Sequence, residues 1–316
     1  MISNLIIITG QTATGKTKLA YDLAKKHNGE LVSCDSRQIY KRLDIITGKE
    51  ILPDIKTHLI NIVDPKEQFS SFDYVQLAIP LIKSLQNRGV TPVIVGGTYL
   101  YLKHLLYGID TNVPANWKLR DKLNKKSVKQ LQNILKNLSV QTFERLNQSD
   151  QNNPHRLIRK IEISTNTKEN SEDTNFFPTW DVSHISAKGT HRSEKNSVSS
   201  YLKFDRTHQF IGLHFKNKES LKKAIEKRVE QRIKNGAFQE VKHLIKLGYK
   251  PTDPGLNTIG YKQLIKYYLG TISKDKPASP AKRGEAIEQW IIKELQYAKR
   301  QYTFMKKDKN INWKLI

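Results

Sequence analysis

Gly10-Gln11-Thr12-Ala13-Thr14-Gly15-Lys16-Thr17 fits the spacing G-x-x-x-x-G-K-[ST]. Residues of these types at this spacing bind phosphate. The glycines let the backbone curl until several N–H groups point inward. Lys16 adds a full positive charge, and the Thr17 hydroxyl can hold Mg²⁺. The loop therefore takes a polyphosphate or a pyrophosphate, and its spacing does not say which molecule carries it. Two further segments bear chemistry. Asp35 directly follows the run Glu30-Leu31-Val32-Ser33-Cys34. A carboxylate there either holds Mg²⁺ or acts as a base on a nucleophile. Asp35 or Ser36 would equally suit a helix N-cap. Gly96-Gly97-Thr98 follows another apolar run. It would let backbone approach a ligand and offer the Thr98 hydroxyl, or it is a strand–helix junction capped by Thr98.

These segments need a scaffold that brings them together. The first hundred residues alternate between strands expected at 5–9, 30–34, 58–62 and 91–95 and helices expected at 16–26, 72–87 and 99–106. Such alternation predicts an α/β fold, a parallel sheet flanked by helices. Ligands then bind at the carboxyl ends of the strands, where all three segments fall. Cys34 should point away from the cleft as a small core residue.

The texture changes near Pro114. Residues 116–147 read as charged helices, 155–163 as a helix with a basic face, and 164–200 as a long polar, mobile loop. A strand returns at 209–215. A helical stretch follows at 218–247, broken at Gly236. Residues 274–280 read as a linker and 281–307 as a basic helix. The expected organisation is a core over 1–112, a mainly helical insertion over 113–204, and a return to the core over 205–316.

Lys and Arg number 54 against 30 Asp and Glu, a formal net charge of +24. That excess suits a polyanionic partner, or else a solvated coat. A single cysteine excludes disulfides and cysteine-based zinc sites within the chain. No apolar run is long enough to span a bilayer, and the first one leads straight into the phosphate loop. A cytoplasmic address is the expectation. Arg156, Arg159 and Lys160 share one helix side, and residues 297–307 interleave Lys and Arg with Tyr and Phe. Cations of this kind meet backbone phosphates, and aromatics stack on unpaired bases.

Taken together the chain resembles the tRNA dimethylallyltransferases of bacterial type, which prenylate an adenosine beside the anticodon. The resemblance rests on the loop form G-x-T-A-[ST]-G-K-[ST], on Asp35-Ser36-Arg37-Gln38-Ile39-Tyr40 and on Val95-Gly96-Gly97-Thr98. It continues through Asn153-Pro154-His155-Arg156-Leu157-Ile158-Arg159, Ile259-Gly260-Tyr261-Lys262-Gln263 and Lys299-Arg300-Gln301.

The resemblance implies a P-loop NTPase-like core whose loop holds the diphosphate of dimethylallyl diphosphate rather than ATP. Gly10, Thr12, Ala13, Thr14, Gly15, Lys16 and Thr17 would bind it, with Mg²⁺ on Thr17. Arg228 matches a diphosphate-clamping arginine, Asp35 the base on the adenine amine, and Thr98 a contact near the reacting nucleotide. Further tRNA contacts are implied at Ser36, Arg37, Gln38, His155, Arg156, Arg159, Gly260, Tyr261, Lys262, Lys299, Arg300 and Gln301. Lys160 and Phe304 depart from the family pattern, as does the length of 164–200. The partners implied are dimethylallyl diphosphate and the tRNA anticodon stem-loop. No membrane and no obligate protein partner are expected, and the chain should act as a monomer. A nucleotide-dependent kinase, a small-molecule prenyltransferase and a non-catalytic RNA-binding module are the competing readings.

Overall fold

The structure is a computed structural model that describes residues 5–50, 52–109, 111, 113–169, 202, 208–272 and 280–316. Six strands form one sheet: β1 (Ile6–Gly10), β2 (Gly29–Ser33), β3 (Thr57–His58), β4 (Thr91–Val95), β5 (Gln209–His214) and β6 (Asn312–Leu315). Their order is β3-β2-β4-β1-β5-β6, and every neighbouring pair is parallel. The helices are α1 (Lys16–Lys26), α2 (Ser71–Asn87), α3 (Tyr99–Tyr107), α4 (Trp117–Leu123), α5 (Val128–Leu138), α6 (Val140–Glu144), α7 (Gln148–Gln151), α8 (Pro154–Glu169), α9 (Lys218–Lys234), α10 (Ala237–Lys246), α11 (Tyr261–Ile272) and α12 (Pro280–Met305).

The chain divides into two compact units, Met1–Gly108 with Asn196–Ile316, and Ile109–Lys195. The first holds the sheet. Every residue of β1 is buried, as a parallel strand covered on both faces requires. Ile6, Ile8, Leu31 and Val93 pack with Ala20 and Ala24 of α1. A second apolar cluster joins Ile39, Leu43 and Ile46 to Val229, Tyr261 and Trp290. Ser70 starts α2 with a capping box: its hydroxyl accepts from the Asp73 N–H, and the Asp73 carboxylate accepts from the Ser70 N–H.

The second unit is helical. Leu123, Leu131, Leu135, Phe143, Leu157 and Ile161 form its core. Ser127 and Gln130 make a capping box that opens α5.

The parallel α/β sheet is the one the sequence predicts, with some differences in its elements. β3 covers only Thr57–His58 instead of 58–62, because Leu59 and Asn61 take left-handed conformations, φ 56° and 58°, that end an extended strand. β6 and α11 are additional elements. α8 runs on to Glu169, so the first part of the expected polar loop is helical. The remainder of that loop, 170–200, lies outside the described residues, as does the expected linker over 274–280 except for Pro280, which begins α12.

Candidate active site

Because the sheet is parallel, the segments after β1, β2 and β4 emerge at one edge. They line a shared cleft of about 720 Å³, together with Arg228 and Arg232 of α9 and Tyr297 and Gln301 of α12.

The phosphate loop is fixed by its own groups and by α12. Thr14 Oγ1 donates to the Gln11 carbonyl at 2.7 Å. Lys16 Nζ donates to that carbonyl and, at 3.4 Å, to Thr14 Oγ1. The Thr12 N–H donates to Gln301 Oε1 at 2.9 Å. Burial, and then Arg228, bring the Lys16 ammonium down to about 7, while Asp35 opposes them. Gly15 is exposed at the entry to α1, and Thr17 sits half-buried in its first turn.

Asp35 does not cap a helix, because none begins there. Its Oδ1 accepts from the Arg37 N–H at 2.8 Å and so shapes the turn. Thr98 precedes α3, but its hydroxyl makes no cap. It accepts instead from the Ser36 N–H at 3.0 Å and donates to Ser36 Oγ at 3.2 Å. The Thr98 hydroxyl therefore ties the loop after β4 to the loop that carries Asp35. Gly97 lines the cleft and packs against α12, where a Cβ would meet Gln301 Nε2 at 2.2 Å. Gln301 Nε2 donates to the Gly97 carbonyl at 2.9 Å. Cys34 is fully buried, and burial raises its thiol well above the ordinary range.

Opposite these loops lies a cluster of arginines around one carboxylate. Glu294 is 0% exposed. Its Oε2 accepts from Arg228 NH2 at 3.1 Å. Its Oε1 accepts from Arg37 NH1 at 3.3 Å and from Trp290 Nε1 at 3.4 Å, with Arg232 NH1 at 3.9 Å. Burial alone would push this carboxyl up. Arg37, Arg228 and Arg232 overcome it and hold Glu294 below the usual carboxylate value. Arg228 NH1 also donates to Thr12 Oγ1, which brings the guanidinium onto the phosphate loop. Its Nε–H is buried and has no hydrogen-bond partner among the described residues. The Arg37 guanidinium stacks over Tyr297 at 4.2 Å.

This cleft can hold a small polyanion against Lys16 and Arg228 with a carboxylate, Asp35, across from it. The comparisons with known proteins agree on what such a chain is. A family model described as IPP transferase matches residues 38–308, and one described as isopentenyl transferase matches 3–64. The tRNA dimethylallyltransferase of Caldanaerobacter subterraneus is 33% identical over 99% of this chain and 92% of its own. The chain belongs to the tRNA dimethylallyltransferase family. It is a prenyl-transferring enzyme of tRNA modification. The crystal structure of the full-length tRNA isopentenylpyrophosphate transferase from Bacillus halodurans aligns with a TM-score of 0.63 at 29% identity, covering 99% of this chain and 90% of that one. A eukaryotic dimethylallyltransferase shares the fold, with a TM-score of 0.72 at 24% identity over 99% of this chain and 74% of its own.

Several residues matched to the family's tRNA contacts have other occupations here. Tyr261 is fully buried, with its hydroxyl on Glu240, which also accepts from the Asp44, Ile45 and Ile46 N–H groups. Gly260 is packed so tightly that a Cβ would meet Ile46 Cγ2 at 2.4 Å. Neither residue offers a surface to RNA. Gln301 is 7% exposed and bridges two loops of the cleft through the Thr12 N–H and the Gly97 carbonyl. Gln38 Nε2 donates to the Gly48 carbonyl at 3.1 Å, which holds the segment after Asp35. Arg159 is an internal strut of the helical unit. It pairs with the buried Glu162 and donates to the Val113 and Pro114 carbonyls, while Arg120 holds the other side of Glu162. His155, Lys262, Lys299 and Arg300 are exposed. Arg156 is exposed too and pairs with Asp150 at 2.8 Å.

Glu294, Arg232 and Tyr297 are absent from the motif-based set. The signal for them is present in α12 all the same. Trp290, Glu294, Tyr297, Ala298, Gln301 and Met305 recur at helical spacing, which puts polar residues on the stripe that faces the core.

Proposed function

We propose that this cleft transfers the dimethylallyl group of dimethylallyl diphosphate to the exocyclic N6 of the adenosine beside the tRNA anticodon, position 37, with release of diphosphate. The observation that supports it most is the joint placement of Lys16, Arg228 and Asp35 on one cleft. Two cations suit a diphosphate leaving group, and the carboxylate suits the amine that attacks. In the reaction N6 bonds to C1 of the allyl group as the C1–O bond breaks, and the bonding pair leaves with the diphosphate. Lys16, Arg228 and the inner N–H groups of the loop stabilise the charge that grows there. Asp35 accepts or orients the N6 proton.

Among the described residues no group of three His, Cys, Asp or Glu could hold a metal. Mg²⁺ needs none, since it keeps several waters and relies on substrate phosphates. Thr17, in the first turn of α1, is the residue that would hold it. When bound it would neutralise leaving-group charge. A stacked adenine cannot enter a closed cleft, so the base must leave its stack at a cost of about a few kcal/mol. Contacts between exposed cations and the anticodon stem-loop would offset that cost. No described helix is long and apolar enough to cross a membrane. A monomeric cytoplasmic enzyme with no obligate protein partner is the reading that goes with this substrate.

The test is mass spectrometry of tRNA nucleosides after incubation with dimethylallyl diphosphate and Mg²⁺. Prenylated adenosine is expected. Hydrolysis of ATP or phosphoryl transfer without any prenylated adenosine would return the cleft to the kinases.

A further inference from the structure

Burying a carboxylate costs several kcal/mol unless its partners return that energy. Glu294 is fully buried in the middle of α12, where an apolar residue would fill the same stripe at no such cost. Its two oxygens do separate things. Oε1 takes Arg37, from the segment that carries Asp35. Oε2 takes Arg228, whose other amine reaches Thr12 of the phosphate loop. One carboxylate therefore links the side of the cleft that holds the base to the side that holds the diphosphate. Trp290 Nε1 braces it at 3.4 Å from one turn earlier, and Tyr297 closes over Arg37 from about one turn later.

We infer that Glu294 is a positioning residue of the transfer reaction: it aims the Arg228 guanidinium at the leaving group and keeps it in register with the Asp35 turn. This rests on the reading of the cleft given above. Arg228 has few other anchors, because its Nε–H is unpartnered among the described residues and Thr12 takes a single N–H. Arg37 and Arg232 both repel it, and that repulsion would go uncompensated if the carboxylate were neutral.

A positioning role and a simple electrostatic role differ in sign. Glu294 is an anion near an anion-binding site. Its removal makes the cleft more positive, so field strength alone predicts diphosphate binding that is unchanged or tighter. What is lost is the direction of Arg228, and direction matters most when charge moves onto the leaving oxygen. The two effects therefore separate binding from chemistry.

The variant is Glu294→Gln, which keeps shape and removes charge. Calorimetric affinity for inorganic diphosphate with Mg²⁺ is measured beside single-turnover prenylation of tRNA. Diphosphate affinity should hold or tighten, while the prenylation rate falls about tenfold or more. In an Arg228→Ala background the same change should cost less than about twofold, because the residue acts through Arg228. If Glu294→Gln does not fold, Glu294→Gln with Arg232→Gln removes one cation along with the anion. It is then compared with Arg232→Gln alone, using the same readouts.

A full prenylation rate in the folded variant overturns the assignment. So does a parallel loss of affinity and rate that persists without Arg228, since that marks a structural carboxylate. Wild-type protein that makes no prenylated adenosine overturns the reading of the reaction itself. An active wild type with an equally active Glu294→Gln overturns only the role of Glu294.

Discussion

Asp35 and Lys16 are the residues to which the proposed reaction assigns the base and a leaving-group cation, and each carries a distinct test. The Asp35 carboxylate shapes its own turn through the Arg37 N–H, and the proposed reaction assigns diphosphate binding to Lys16, Thr17 and Arg228, which line the same cleft. Asp35→Ala should therefore lower the single-turnover rate by about 10²–10⁴-fold, the range for a general base, with diphosphate affinity little changed. A wild-type rate would leave Asp35 as a turn residue only. Lys16 is held near 7 by burial and by Arg228. Above pH 7 it is mostly neutral in the free protein, and a bound diphosphate anion would raise it again. Diphosphate binding at pH 8 should then take up a proton, and affinity should fall as pH rises above about 7, by up to about tenfold per unit. Below about pH 6 the ammonium is already charged and this uptake disappears. Calorimetry in two buffers of different ionisation enthalpy reads the proton directly. Lys16→Arg keeps its charge throughout and subtracts the ligand's own titration. Equal proton uptake in wild type and Lys16→Arg would remove Lys16 from the linkage.

The element scale shows what was legible in the sequence and what was not. The strands that bear the phosphate loop, Asp35 and Gly96 were readable because each is a buried apolar run with a chemical residue at its carboxyl end. The helix break at Gly236 was readable for a similarly local reason. The exposed cations of α12 are legible in the sequence, and its buried face is not. Tertiary packing decides that Glu294 meets three arginines and that Gln301 faces the cleft, and no local pattern names the partner of a buried polar residue. Tyr261 and Gly260 show the same limit in reverse, since a family motif can mark a packing requirement as well as a contact. Gln301 turns this into a prediction. Gln301→Ala leaves the Thr12 N–H and the Gly97 carbonyl without their partner. It should lower stability by about 1–3 kcal/mol, read from chemical denaturation, and weaken diphosphate binding through a looser loop. If Gln301 were a tRNA contact, tRNA affinity would fall while stability and diphosphate affinity stayed at wild-type values.

At the scale of the whole molecule the question is whether the +24 charge is a docking surface or a coat. Charge spread evenly gives non-specific attraction that depends only on how many cations remain, whereas a face gives contacts at particular phosphates. Four exposed cations from the family's segments, Arg156, Lys262, Lys299 and Arg300, can be exchanged for Ala together. Arg159 is left out, because its loss would unbalance Glu162 and mix folding with binding. Lys26, Lys83, Lys218 and Lys250 are exposed, lie outside those segments and remove the same formal charge when exchanged. If the first set touches RNA phosphates, tRNA affinity falls, and the slope of log K against log salt flattens by roughly 0.7–0.9 for each lost contact. The control set should change that slope by much less, and neither set should alter affinity for dimethylallyl diphosphate, because neither includes Lys16 or Arg228, the cations of the cleft proposed to meet its charge. Filter binding of tRNA across a salt series measures both quantities. Equal slopes and equal affinities in the two quadruple variants would mean that the charge acts as a coat, and that tRNA is held by groups other than these four.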